Sequence, residues 1–134
     1  MDFEKLDVWK LSKDLSVEVY RAMKELRDFG FKDQITRSSL SIASNIAEGM
    51  SRSNVREKIQ FLNIAKGSCS ELRTQVYIGA EIDYIDLATS KIWVEQTKRI
   101  ASMLSGLMKR LHEEKDVTGQ TSNRQQSTHY GANL

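Results

Sequence analysis

Gln34–Arg52, "QITRSSLSIASNIAEGMSR", carries two helical patterns at once. Ile35, Ser39, Ile42 and Ile46 fall on one side of a helix, helped by Leu40, Ala43 and Ala47. Gln34, Arg37, Ser41, Asn45 and Glu48 recur at steps of three and four and form a polar ladder on another side. Ser38, Ser39, Ser41, Ala43, Ser44 and Ala47 are small, which lets a neighbouring helix approach closely. The stretch therefore predicts a helix over Asp33–Glu48, packed inside a bundle of helices. Gly49 is suited to the position just past its end.

Upstream, Val8, Leu11, Leu15, Val19, Ala22, Leu26 and Phe29 form an apolar stripe, with Trp9, Tyr20 and Met23 at its edge. This predicts an amphipathic helix over Asp2–Asp28. "DFGFKD" breaks it, with Gly30 suited to a left-handed turn. Downstream, Asn54 and Glu57 have capping-box spacing. Val55, Ile59, Leu62, Ala65, Cys69, Leu72, Val76 and Ala80 then predict a third helix ending near Glu81. After "IDYID", a seam of Trp93, Thr97, Ile100, Leu104, Leu107 and Leu111 predicts a fourth helix over Leu87–Glu114. The last segment has almost no aliphatic residues and no periodicity, and reads as a flexible tail. The expected fold is an all-α, antiparallel up-and-down four-helix bundle over residues 1–115, with a tail over 116–134.

Composition narrows the function. The 134 residues hold no proline and only seven glycines, which favours long helices over many-turned β-structure. Net charge is +2, so any anion binding must come from local clustering. One cysteine and no apolar run long enough for a membrane predict a cytoplasmic protein without internal disulfides. His112 and His129 show no metal-ligand spacing, and no glycine-rich phosphate loop occurs. Cys69 lies on the apolar stripe of the third helix and reads as a small buried hydrophobe. No cofactor, metal or enzymatic activity is expected.

Clustered cations are the remaining signal. Arg52, Arg56, Lys58, Lys66 and Arg73 occupy the second turn and the third helix, and are the candidate nucleic-acid-binding residues. Lys91, Lys98, Arg99, Lys109 and Arg110 follow on the fourth. Such a set can track a phosphate backbone, or it can be the solvated side of mixed-charge helices. The ladder likewise admits two readings. Arg37, Asn45 and Glu48 can form a buried network that fixes helix register, or line a binding groove. The structural reading is preferred because no catalytic base accompanies the serines.

"FEKLDVWK", "QITRSSLSIASNIAEGMSR", "FLNIAKGSCSELRTQV" and "DYI" together resemble the 23S rRNA-intervening-sequence proteins, also described as an S23-type family. The resemblance spans roughly residues 2–111. It implies a small antiparallel bundle that forms oligomeric rings, often pentamers. It also implies nucleic-acid binding, by similarity to an accessory protein of diversity-generating retroelements that works with a reverse transcriptase. A reverse transcriptase is thus a partner expected by family analogy only. Ala43 stands where the family often has proline, Asp83 where glycine is common, and Thr36 where a second cation is usual. Asp83 tolerates a left-handed turn better than most residues.

These readings combine into a non-enzymatic homo-oligomer that binds RNA or DNA through Arg and Lys. The alternative is a protein-interaction scaffold with no direct nucleic-acid role. The second helix is expected to be about half the length of the third and fourth, leaving apolar length uncovered. Phe61, Ile64, Tyr77 and Trp93 are then the expected contacts between protomers.

Overall fold

The computed structural model describes residues 2–125, with side chains as far as Glu114. A short 3-10 turn, Phe3–Lys5, leads into α1 (Asp7–Met23). Then follow α2 (Phe29–Met50), α3 (Val55–Glu81) and α4 (Leu87–Gln125). No strand occurs among the described residues. Consecutive helices pack on each other: α1 on α2, α2 on α3, α3 on α4, with a thinner seam closing α1 against α4. This is the expected all-α bundle.

The apolar stripes meet in one core. Val8, Leu15, Val19 and Met23 enter from α1, and Ile35, Ile42 and Ile46 from α2. Leu62, Ala65, Cys69, Leu72 and Val76 enter from α3. The whole predicted seam of α4, from Trp93 to Leu111, is buried, Thr97 included. Two expected stripe members are outside it: Ala22 is exposed, and so is Phe29, at 71%. Leu40 is also exposed, because it lies on the side of α2 away from Ile35 and Ile42.

Helix boundaries follow their caps. Asp28 accepts a hydrogen bond from the Phe31 N–H at 3.1 Å and so starts α2 earlier than the apolar pattern predicts. Gly30 is therefore inside the first turn of α2 and not in a left-handed turn. Lys32 Nζ donates to the Lys24 carbonyl at 2.9 Å, tying the end of α1 to the start of α2. As a result α2 has 22 residues against 27 for α3, so the half-length expectation is corrected for α3, while against the 39 residues of α4 it holds.

Gly49 is helical, and its role is close approach. A Cβ there would lie 2.9 Å from Phe61 Cβ and 3.1 Å from the Lys58 carbonyl oxygen. Asn54 caps α3 by accepting from the Glu57 N–H at 3.2 Å. The α3–α4 turn has Asp83 at φ 64°, the left-handed conformation expected for it. Asp86 then caps α4, accepting from the Thr89 N–H at 2.8 Å and the Thr89 hydroxyl at 2.9 Å. The α4 backbone continues helical to Gln125, past the Glu114 limit set by the apolar seam. The remainder of the expected tail, residues 126–134, lies outside the described residues.

Candidate nucleic-acid interface

The polar ladder divides into a middle and two ends. In the middle, Ser41 Oγ and Ser68 Oγ are 2.9 Å apart, joining α2 to α3. Asn45 Nδ2 donates to the Ser41 carbonyl at 2.8 Å and to its hydroxyl at 2.9 Å. At the ends, Arg37 pairs with Asp33 at 3.0 Å and Glu48 pairs with Arg52, all four largely exposed. Gln34 is exposed as well. The expected buried network through Arg37 and Glu48 is thus corrected to two surface pairs between positions four apart. Two further polar links were not legible as part of the ladder: Ser38 Oγ donates to Glu71 Oε1 at 2.6 Å, and Ser16 Oγ meets Ser39 Oγ at 3.1 Å.

The candidate cations also separate. Arg52 is held by Glu48, and its guanidinium lies 5.1 Å from the Phe61 ring centroid. Lys58 Nζ donates to the Met50 carbonyl at 3.1 Å, closing the end of α2. Both therefore have structural partners at the α2–α3 turn. Arg73 is half-buried, and its Nε donates to Thr97 Oγ1 at 2.9 Å. Thr97 is fully buried and in turn donates to the Val94 carbonyl at 2.7 Å. This bond fixes which side of α3 borders α4.

From that anchor a stripe can be followed along α3. Arg56, Asn63, Lys66, Ser70, Arg73 and Tyr77 succeed one another at helical spacing on the flank that borders α4. The facing flank of α4 carries Lys91, Lys98, Ser105, Lys109 and His112 at the same spacing. The two flanks form one basic face. Glu81 lies on it at the far end of α3, and Glu95 borders it beside Lys98. Arg56, Lys66, Lys91 and Lys109 are exposed and make no ion pair among the described residues. Lys98 has a loose contact with Glu95, at 3.7 Å. From Arg56 to Arg73 the α3 flank runs about 26 Å at the rise of an α-helix.

The residues expected between protomers do not share one environment. Ile64 and Tyr77 are exposed, at 46% and 51%. Phe61 is half-buried between Arg52 and the Gly49 backbone. Trp93 is 3% exposed within the core of its own chain, so it is not available to a second copy. That expectation is corrected: the indole belongs to the α4 seam.

Other chemistry is confined. Among the described residues no group of His, Cys, Asp and Glu is arranged to hold a metal ion. Burial pushes the Cys69 thiol up to about 12, against the opposing charge of Arg73. Such a thiol stays protonated at neutral pH and is a poor nucleophile. Among the described residues no helix is long and apolar enough to cross a membrane.

Fold and face define a small all-α bundle with a continuous basic flank. The chain belongs to the family of 23S rRNA-intervening sequence proteins, whose profile matches residues 4–106. Among solved structures it is similar to a protein of unknown function from the S23 ribosomal protein family of Bacteroides thetaiotaomicron VPI-5482. The two share 24% identity with a TM-score of 0.71, over 76% of this chain and 98% of the other. That likeness concerns the fold. No curated protein matches the chain.

Proposed function

We propose that this protein is a non-enzymatic bundle that binds nucleic acid along the α3/α4 face and works as a homo-oligomer in the cytoplasm. The carrying observation is the basic face itself: exposed Arg56, Lys66, Lys91 and Lys109, with Glu81 at its margin. Cations gathered on one face, with carboxylates among the described residues only at Glu95 beside Lys98 and at Glu81, make a local positive potential although net charge is only +2. Arg52 and Lys58 are left out of the contact set because each already serves the α2–α3 turn. The buried, protonated Cys69 thiol supports a role without nucleophilic catalysis.

Assembly of several copies is supported by Ile64 and Ile78, exposed two heptads apart on another flank of α3. A ring, with a pentamer as the size the family resemblance implies, would repeat the basic face and raise avidity for one polyanion. The same apolar residues favour the second reading, a protein-interaction scaffold. Salt titration separates the two. Binding through phosphates weakens steeply as salt rises, and each lost contact lowers the log–log slope by about 0.7–0.9. Replacing Arg56, Lys66 and Lys109 together with Gln is expected to flatten that slope. Replacing Arg52 and Lys58 is expected to lower stability and leave the slope nearly unchanged. A wild type that binds neither RNA nor DNA at low salt would leave the scaffold reading.

A further inference from the structure

We infer that the α3/α4 face takes single-stranded nucleic acid, with one base stacked on the ring of Tyr77 and the adjoining phosphates held by Arg73 and Lys66. This rests on the nucleic-acid reading above and narrows it to a class of strand. Tyr77 is 51% exposed and lies one helical turn beyond Arg73, on the flank that borders α4. Arg73 is held in place by the bond from its Nε to Thr97 Oγ1. That bond leaves the terminal N–H groups of the guanidinium for a phosphate. Lys66 lies two turns before Arg73 on the same flank and is exposed. Ser70 is exposed between these cations and Asn63 just before Lys66, and both offer uncharged hydrogen-bonding groups to sugar or base edges.

An aromatic ring among cations on a shallow track is how single strands are held without strict sequence preference. A base can stack on such a ring only when it is free of a duplex partner. Duplex readers instead insert a helix or a strand pair into a groove. Here α3 and α4 pack along each other, and the stripe runs along their flanks. Along these flanks the described residues offer a line of charge and a ring.

The test uses fluorescence anisotropy on the full chain, with labelled oligothymidine and oligouridine of about 15 nucleotides, within the range of single-strand sites. An A·T duplex of equal length is the comparison, at several salt concentrations. Wild type is expected to bind single strands about tenfold or more tighter than duplex at matched salt. Tyr77→Ala is expected to lose roughly tenfold on single strands, a typical effect of removing one stacking ring. Its salt slope should stay unchanged, because no phosphate contact is lost, and Tyr77→Phe should bind like wild type. Lys66→Gln should lower the slope. Either sugar supports the inference, and the tighter strand identifies it. Equal or tighter duplex binding overturns the inference and leaves the proposed function standing. So does a Tyr77→Ala variant with unchanged affinity, or one that loses assembly in sedimentation, since the ring would then be a contact between copies. Absence of binding to every strand overturns both readings.

Discussion

The Tyr84 hydroxyl donates to Asp28 Oδ2 at 2.8 Å, joining the α3–α4 turn to the α1–α2 connection. The same carboxylate caps α2 through Oδ1, and the rings of Phe31 and Tyr84 meet edge to face at 5.2 Å. One acidic group thus clasps the two connections at this end of the bundle. The Phe31 N–H first, and the Tyr84 hydroxyl second, hold the Asp28 carboxyl below its usual value of 3.8. A carboxyl with a lowered pKa adds stability that is fully present above its unfolded value and is lost as pH falls through the folded one. Asp28→Ala is expected to melt lower than wild type at pH 7. The gap should narrow as the medium is acidified below pH 3.8. Thermal melts across that range check both the drop and its pH dependence.

Two glycines of α3 should respond in opposite directions to alanine. At Gly79 a Cβ would come within 2.6 Å of Ile85 Cδ1 and 3.1 Å of Phe31 Cζ. Gly79→Ala is expected to cost about 1–3 kcal/mol, as overpacking does. At Gly67 a Cβ meets nothing within 4 Å. Gly67→Ala is expected to stabilise the helix by roughly 0.5–1 kcal/mol through reduced freedom of the unfolded chain. Denaturant midpoints of the two variants give the comparison.

Thr97 is expected to matter more than its size implies. It is fully buried, accepts from Arg73 Nε and donates to the Val94 carbonyl. Thr97→Val keeps the shape and removes the acceptor, leaving a half-buried guanidinium N–H unpaired at a cost of about 1–3 kcal/mol. Arg73→Met in the same background should recover part of that loss. A double-mutant cycle on unfolding free energies reads the coupling.

Trp93 gives a direct measure of where the fourth seam points. Trp93→Ala is expected to destabilise the protein by about 3–5 kcal/mol, as loss of a core aromatic does. The cost should be independent of protein concentration. A melting temperature that falls on dilution more steeply than in wild type would return the indole to an interface between copies.

What the sequence made legible was periodic burial. The α4 seam from Trp93 to Leu111 is the predicted one residue for residue, because each member returns to the core every third or fourth position. Boundaries were less legible, since they depend on single hydrogen bonds. Asp28 reads as part of a breaker until its carboxylate is seen to accept from Phe31. That early start brought α2 close to the length of α3, and Trp93 is buried in the core even though α4, at 39 residues, far outruns the 22 of α2. The cations were legible as a cluster along the chain, but not by their partners. The Lys58 bond to the Met50 carbonyl comes from the geometry of a turn. The Arg73–Thr97 bond needs the register of two helices, which no local pattern contains.

The ladder offers the sharpest contrast between a sequence expectation and the folded geometry. Read as a buried network, it predicts a loss of about 3–5 kcal/mol for Glu48→Ala, the cost of stranding a buried charge. In the structure Glu48 and Arg52 face solvent, with side chains 52% and 42% exposed. An exposed pair four positions apart on a helix contributes about 0–1 kcal/mol, so Glu48→Ala should barely shift the melt. Ser68→Val should do more. It removes the hydroxyl 2.9 Å from Ser41, leaving part of a half-buried α2–α3 bond unmade, and places a branched side chain at a site already buried. Unfolding of the two variants side by side decides between the readings: a large effect at Glu48 with none at Ser68 would restore the network to the ends of the ladder.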